Sequence, residues 1–177
     1  MIIAQRNEWP CIIDFEASGL GPSSYPIEVA WSLSDGSIKE HLINPDTAPT
    51  AEDWTGWDWN SQAVHGLARE YLLAHGENAL AVASRMNESL RGTKVYSDNV
   101  AMDGFWCERL FCCVDFEMEF EILDYYELLR SFGLNSDPKI QQLRGTAARR
   151  VGGQMHRAGT DVRILFEMLI LAETGSF

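Results

Sequence analysis

The sequence CIIDFEASGL, from Cys11 to Leu20, carries the clearest structural signal of this chain. Its apolar run ends at acidic side chains, and Gly21 and Pro22 follow closely. An apolar run that ends in glycine and proline is typical of a buried strand that enters a tight loop. Side chains two apart in a strand lie on the same face, so we expect Asp14 and Glu16 to point the same way. Taken alone, such a pair is either a solvated strand edge or part of a site for a hard divalent cation.

The pattern along the rest of the chain predicts a mixed α/β domain. Runs of apolar and β-branched residues predict further strands at residues 27–33, 37–43, 94–96 and 120–123. Helical spacing of apolar residues predicts helices at residues 61–67, 80–90, 102–114 and 162–170. Asp124 is expected to cap a further helix that follows it through Leu129. Acidic and apolar residues also alternate between residues 115 and 121, as in a strand with one wet face. We expect three antiparallel strands first and β/α alternation afterwards.

The composition favours one globular unit. The chain has 177 residues, of which 46% are hydrophobic and 23% charged, and this is enough for one substantial core. We therefore expect a single domain over residues 1–177. No apolar run reaches the roughly 18 residues that cross a bilayer, and no basic segment followed by an apolar one opens the chain. A cytoplasmic protein without a membrane partner is the expectation.

Charge is unevenly distributed along the chain. The net charge is -12, yet residues 130–163 hold seven basic side chains against two acidic ones. Such a segment is either a solvated helix surface or a surface that contacts phosphates. Arg149 and Arg150 are our best candidates for holding substrate phosphates. The acidic remainder disfavours a tight grip on long polymers and favours short substrates or delivery by a partner.

Three further side chains extend the acidic pair. Asp103 opens a helix directly after the strand at residues 94–96, so its carboxylate is expected at the sheet edge that carries Asp14 and Glu16. His156 and Asp161 lie at the start of the last predicted helix. Oxygen ligands suit Mg²⁺ or Mn²⁺, and two such ions about 4 Å apart can activate a water and stabilise the leaving oxygen of a phosphodiester. A nearby histidine can take the proton from that water.

In this combination the sequence resembles the DEDDh family of 3'-to-5' exonucleases, which includes RNase T, oligoribonuclease and the proofreading subunit of bacterial DNA polymerase III. Residues 12–20 resemble the first motif, Asn99 to Asp103 with Leu110 the second, and His156 to Asp161 the third. The segment Val64-His65-Gly66-Leu67 is similar to the family's His-Gly-aliphatic element. The motifs occur in the family's order, and the resemblance covers nearly the whole chain.

The resemblance implies an RNase H-like sheet and a metal-dependent 3'-to-5' exonuclease that acts on single-stranded or short nucleic acid, either DNA or RNA. It implies His156 as the general base. It implies two Mg²⁺ or Mn²⁺ ions per active site, held by Asp14, Glu16, Asp103 and Asp161. In that pattern Asp14 bridges both ions, while Glu16 and Asp161 complete the site of the first ion.

The resemblance also implies a set of substrate contacts. Leu20 would lie against the terminal base, and the main chain near Ala17 and Ser18 would contact the terminal 3' hydroxyl. His65 and Asn99 join the predicted substrate-binding residues through the motifs that contain them. Related small exonucleases often form dimers, so a homodimer is compatible with the resemblance.

Three positions depart from the family's pattern, and one of them is Met102, which stands where the family commonly has phenylalanine. Asp98 stands before the asparagine of the second motif and adds a negative charge near the site, and Gly159 interrupts the alanine-rich third motif. The tryptophans Trp54, Trp57 and Trp59 either pack as core or lid residues or stack on bases.

Two other functions stay open at this stage. One is a polymerase-associated proofreading subunit. The other is a catalytically silent nucleic-acid-binding protein, which would be expected to have lost at least one of the five site residues.

Overall fold

The computed structural model describes residues 8–48 and 54–176, and its centre is a six-stranded sheet flanked by helices. The strands are β1 (Cys11–Ala17), β2 (Pro26–Ser32), β3 (Ile38–Asn44), β4 (Glu77–Asn78), β5 (Lys94–Ser97) and β6 (Glu121–Asp124). The α-helices of the described residues are α1 (Trp59–His65), α2 (Arg69–His75), α3 (Ala79–Leu90), α4 (Val100–Cys113), α5 (Tyr125–Ser131), α6 (Asp137–Val151) and α7 (Ala158–Thr174). The predicted α/β class is confirmed. Among these helices, none combines the length and the apolar character that crossing a membrane requires.

The sheet has the strand order β4-β3-β2-β1-β5-β6. β2 pairs antiparallel with both β1 and β3, whereas β5 is parallel to β1 and β6 is parallel to β5. The antiparallel strands β3, β2 and β1 therefore adjoin the parallel strands β5 and β6 at β1, while the edge strand β4 pairs parallel with β3. Because β1 and β5 are parallel, the segments that follow them come together at one edge of the sheet. This is the RNase H-like arrangement that the sequence predicted.

Two hydrophobic cores lie on opposite faces of the sheet. Ile13 and Phe15 of β1 belong to the core built with α3 and α4, whereas Ile12 belongs to the core built with α5, α6 and α7. This division follows from the two-residue period of a strand. Asp14 and Glu16 share the parity of Ile12, so they lie on the face of the sheet that α7 covers.

The helix ends follow signals that are visible in the sequence. Asp58 caps α1 by accepting a hydrogen bond from the main-chain N–H of Asn60 at 2.9 Å, and Gly66 ends the helix with a φ of 75°. Asp124 caps α5 by accepting from the N–H of Tyr126 at 2.6 Å, so its predicted capping role is confirmed. A side-chain acceptor at the start and a left-handed glycine at the end satisfy main-chain groups that a helix leaves unpaired.

The structure differs from the prediction around residues 115–121. Only Glu121 of this alternating stretch lies in a strand, and the residues before it form a loop. The buried Asn87 side chain donates to the carbonyl of Glu117 at 2.7 Å and accepts from the N–H of Glu119 at 3.0 Å. One side chain therefore satisfies main-chain groups that a neighbouring strand would otherwise pair. The helices α2 and α6 and the short strand β4 were not predicted.

Candidate metal and active site

The central strand β1 positions the first two carboxylates. Asp14 lies opposite Ala30 of β2, and Glu16 lies opposite Glu28, just before a register shift between Glu16 and Ala17. β2 on one side and β5 on the other hold β1 in place. The two carboxylates therefore project from a fixed strand end, as the alternation in the sequence predicts.

The third carboxylate comes from the first turn of α4. Asp103 is only 2% exposed, and it accepts a hydrogen bond from the Ser97 hydroxyl at the end of β5. The same Ser97 oxygen accepts from the main-chain N–H of Asn99 at 2.9 Å. Ser97 thus connects the strand end to the helix start and orients the Asp103 carboxylate. Asn99 is exposed and lines the same cavity as Asp103.

The fourth carboxylate and the histidine come from the third motif. Asp161 lies in the first turn of α7, which packs on β1 and β2. His156 lies in the loop before this helix, is exposed, and has a φ of 57°. That left-handed conformation is uncommon for a residue other than glycine, and it persists only where the surroundings impose it.

A buried ion pair fixes the chain directly after His156. Arg157 donates from Nε and Nη2 to the Glu28 carboxylate at distances of 2.7 to 3.2 Å, and the main-chain N–H of Ala158 adds a bond of 3.1 Å. Only 4% of the Glu28 side chain is exposed. A carboxylate from β2 therefore holds the first residue of α7, where its negative charge also suits the helix N-terminus.

These elements converge on one cavity of about 540 Å³. Two groups of carboxylates in it bring their oxygens within 4.8 Å of one another: Asp14 with Glu16 and Asp161, and Asp14 with Asp98 and Asp103. Asp14 belongs to both groups, which is the placement that a bridging ligand requires. Hard oxygen donors at this spacing fit a divalent cation such as Mg²⁺ or Mn²⁺. The sequence did not single out Asp98 as a ligand.

The pKa values of the site carboxyls are raised above their ordinary values. Burial is the largest cause for Asp14, Glu16, Asp103 and Asp161, and neighbouring carboxylates add to it. The pKa rises to about 8 for Glu16 and to about 7 for Asp103. Crowded carboxylates that resist ionisation are stabilised by cations, so the electrostatics of the cavity also fit a metal site.

A second cavity of about 420 Å³ adjoins the first and shares Glu16, Trp106 and His156 with it. Ala17 and Leu20 line this cavity, and Leu20 is 74% exposed. The predicted neighbour Ser18 is fully buried and lies outside both linings. Its N–H donates to the Tyr25 carbonyl at 2.9 Å, and its own carbonyl accepts from Asp58 at 2.8 Å.

His65 lines the second cavity with a buried imidazole, which is 2% exposed. Its Nδ1 accepts a hydrogen bond from the main-chain N–H of Leu67 at 3.0 Å, so the neutral ring carries its proton on Nε2. Burial lowers the pKa of His65, which keeps the ring neutral. Among the described residues, Nε2 has no hydrogen-bond partner.

The predicted phosphate contacts Arg149 and Arg150 lie at the end of α6. Both are exposed, and neither lines the two cavities. Arg149 donates to the Thr146 hydroxyl at 3.1 Å, and Arg150 pairs with Glu167 at 2.9 Å. Another arginine of the same helix, Arg144, lines the carboxylate cavity instead.

The three tryptophans near α1 have different environments. Trp54 is buried and stacks on Tyr25 with ring centroids 5.2 Å apart. Trp57 donates from Nε1 to Gln62 at 2.9 Å. Trp59 is 71% exposed, so it is the tryptophan of this group with a ring surface open to solvent.

The fold is similar to that of solved structures of exonuclease I. A zinc-bound complex of E. coli exonuclease I with single-stranded DNA superposes with a TM-score of 0.69 and 18% identity, covering 94% of this chain. Another exonuclease I structure gives 0.69 and 18% over 93%, and E. coli exonuclease I with a dT13 oligonucleotide gives 0.63 and 15% over 93%. The chain spans 40% to 41% of the length of these proteins. No family model and no curated protein matches the chain. At this level of identity the likeness shows the fold alone.

Proposed function

We propose that this protein is a metal-dependent 3'-to-5' exonuclease that hydrolyses phosphodiester bonds of single-stranded or short nucleic acid. The observation that carries the proposal is the sharing of Asp14 by two carboxylate groups in one cavity, with His156 at its lining. The five residues for this chemistry come from three distant segments of the chain. Their convergence on one sheet edge is what a catalytic role requires and what a chance pattern would not produce.

Asp14 would bridge two divalent ions, Mg²⁺ or Mn²⁺. Glu16 and Asp161 would complete one site, and Asp103, fixed by Ser97, would hold the other. Two divalent ions about 4 Å apart supply an activated water and stabilise the leaving oxygen of a phosphodiester. The residues themselves contribute fixed positions, because each carboxylate stands on a strand end or in a first helical turn.

His156 would take the proton from the attacking water. Its exposure at the cavity leaves the imidazole accessible to a water beside the carboxylates. The Arg157–Glu28 pair fixes the next residue of the chain, so the imidazole is confined without being buried. General-base catalysis of this kind contributes about 10²- to 10⁴-fold to a rate.

The second cavity is the proposed site of the terminal nucleoside. It lies directly beside the carboxylates and offers the exposed apolar side chain of Leu20 to a base, with Ala17 next to it. His65, whose Nε2 has no hydrogen-bond partner among the described residues, also lines that cavity, and Asn99 lies on the carboxylate side. Removal from the 3' end, rather than the 5' end, rests on the motif resemblance. E. coli exonuclease I, with a similar fold, has been solved with single-stranded DNA.

Two alternatives are weaker than the exonuclease. A catalytically silent nucleic-acid-binding protein has no need to keep four carboxylates and a histidine around one cavity. A polymerase-associated proofreading subunit would use the same chemistry and differ in its partner. A cytoplasmic location, a homodimer and a single domain stay predictions from the sequence.

The direction of hydrolysis is the property to measure first. Wild-type protein would be incubated with short single-stranded DNA and RNA labelled at the 5' end, with Mg²⁺, Mn²⁺ or EDTA. We expect a metal-dependent ladder that shortens from the 3' end and that a 3'-terminal block suppresses, while a 5'-terminal block has no effect. Shortening of 3'-blocked strands at the same rate would contradict the proposed direction, and the faster polymer identifies the preferred sugar.

A further inference from the structure

Arg144 is a basic residue inside an otherwise acidic cavity. It stands on α6, and it is the one lysine or arginine among the described residues that line the carboxylate cavity. Nη2 donates to Asp98 Oδ2 at 2.5 Å, and Nη1 donates to the Tyr126 hydroxyl at 3.3 Å. A third of the Arg144 side chain is exposed, against 16% for Asp98. The guanidinium is therefore held in place by a more deeply buried carboxylate while remaining open to the cavity.

The partner of Arg144 belongs to the candidate metal site. Asp98 brings its carboxylate within 4.8 Å of the ligand oxygens of Asp14 and Asp103. Arg144 lines the same cavity as Asp161, which belongs to the other carboxylate group. One guanidinium therefore lies in the cavity that both carboxylate groups share.

The negative charge of the cavity favours a cation such as the Arg144 guanidinium. Five carboxylates line it, and once ionised they exceed the four positive charges of two divalent ions by one. An incoming phosphodiester adds another negative charge. Arg144 offsets one of these charges, and its planar fork matches two oxygens of a phosphate. The five carboxylates are those of Asp14, Glu16, Asp98, Asp103 and Asp161.

We propose that Arg144 is a phosphate-binding residue of this cavity, that it contacts phosphodiester oxygens of a single-stranded nucleic acid, and that Asp98 holds it in position until the strand arrives. This inference rests on the proposed function and deepens it. It assigns phosphate recognition to a position nearer the carboxylates than Arg149 and Arg150. It also explains why an additional carboxylate beside the second motif is tolerated, since Asp98 has a cation of its own.

The test is equilibrium binding, so that it reads out separately from hydrolysis. A short 5'-fluorescein single-stranded DNA with phosphorothioate linkages at its 3' end, which slow hydrolysis, would be titrated with protein in Mg²⁺ at several salt concentrations. Arg144→Gln is expected to weaken affinity by roughly 10- to 100-fold, the effect of losing a charge-assisted hydrogen bond. The slope of log affinity against log salt should fall by about 0.7, the value for one single-strand phosphate. Arg144→Lys should recover part of the affinity.

The matched control is Lys139→Gln, which removes one positive charge from the same helix at an exposed position outside the cavity lining. It should change affinity by less than about twofold. Equal losses of DNA affinity in Lys139→Gln and Arg144→Gln would overturn the proposal, because Arg144 would then act only through the net charge of the protein. Thermal melting of both variants verifies that they fold.

A second comparison separates phosphate binding from simple neutralisation of Asp98. If Arg144 served only to neutralise Asp98, then Arg144→Gln would have no more effect than Lys139→Gln once Asp98→Asn is present. We expect the 10- to 100-fold loss to persist in that background, and its disappearance would overturn the proposal. Wild-type protein that binds the strand tightly but never cleaves unmodified DNA would sink the proposed function and leave this inference standing. Wild-type protein that binds no strand would sink both.

Discussion

Replacement of Arg157 by alanine should strongly destabilise the protein. The Glu28 side chain is 4% exposed, and its carboxylate now accepts hydrogen bonds from Arg157 and from the N–H of Ala158. After the change, the bond from Ala158 is the one that is left. Removal of one partner from a buried ion pair typically costs about 3 to 5 kcal/mol. Since 32% of the Arg157 side chain is exposed, water can enter in its place, and we expect the lower end, about 3 kcal/mol. For a chain of this size that corresponds to a fall in melting temperature of about 6 to 12 °C.

The assay is urea unfolding together with thermal melting, and α7 offers a matched control. Arg163 pairs with Glu40 on the surface, where both side chains are more than 40% exposed, so Arg163→Ala should cost less than about 1 kcal/mol. The double variant Glu28→Gln/Arg157→Ala should recover much of the loss, because glutamine removes the buried charge and keeps an acceptor for Ala158. An Arg157→Ala protein as stable as Arg163→Ala would show that the Arg157–Glu28 pair does not hold the start of α7.

Three further predictions concern the site and the loop that precedes β6. The pKa is raised to about 8 for Glu16 and to about 7 for Asp103, so between these values and the ordinary ones the folded protein binds more protons than the unfolded chain. The free energy of unfolding in EDTA should therefore fall as the pH rises from about 5 to about 8. Added Mg²⁺ or Mn²⁺ should raise the melting temperature more at the alkaline end, and an equal effect at both ends would contradict this. His156→Ala should lower kcat by about 10²- to 10⁴-fold with little change in KM, measured by initial rates of strand shortening; an unchanged kcat would exclude the general base. Asn87→Ala should lower the free energy of unfolding by about 2 kcal/mol in urea, because the main-chain groups of residues 117–119 lose their partner, and a loss below about 0.5 kcal/mol would contradict that role.

The parts of the fold that the sequence predicted are those with a strong local signal. β1 begins with the apolar run Cys11-Ile12-Ile13 and is followed by Gly19 and Gly21, and α7 buries apolar residues along most of its length. α6 lacks such a signal, because it buries only Ile140, Leu143 and Ala147 over 15 residues. Their spacing of three and four, together with Pro138 in the first turn, is the pattern that could have revealed it.

The residues of the candidate site also differ in whether a local sequence signal predicts them. The five residues of the motifs could be predicted because their spacing along the chain is characteristic, and the structure brings all five to one cavity. Arg144 could not, since it reaches the cavity from a helix that the sequence did not reveal. Asp98 was noticed as an extra charge, but its place in a carboxylate group depends on the turn from β5 into α4. Contacts between elements that lie far apart along the chain produce no periodic pattern in the sequence.

Gly159 departs from the alanine-rich third motif and lies beside Glu40 of β3. A Cβ at this position of α7 would meet the end of the exposed Glu40 side chain, which pairs with Arg163 and would have to shift. The glycine therefore leaves room for an acidic side chain of β3 beside the start of the helix. Its first-turn position places it within a regular helix rather than in the loop that carries His156.

Asp14 is the residue on which the proposed function depends most, because it is proposed as the ligand shared by two metal positions in a nuclease site. The most direct test is the initial rate at which 5'-labelled single-stranded DNA is shortened in Mg²⁺, compared between wild type, Asp14→Asn and Asp115→Asn. Asp115 is an exposed aspartate with a φ of 50°, a conformation that asparagine accepts, so it is the matched control. The shared-ligand role of Asp14 predicts wild-type rates for Asp115→Asn and a loss of at least about 10³-fold for Asp14→Asn. An Asp14→Asn protein that shortens the strand at the wild-type rate would contradict it.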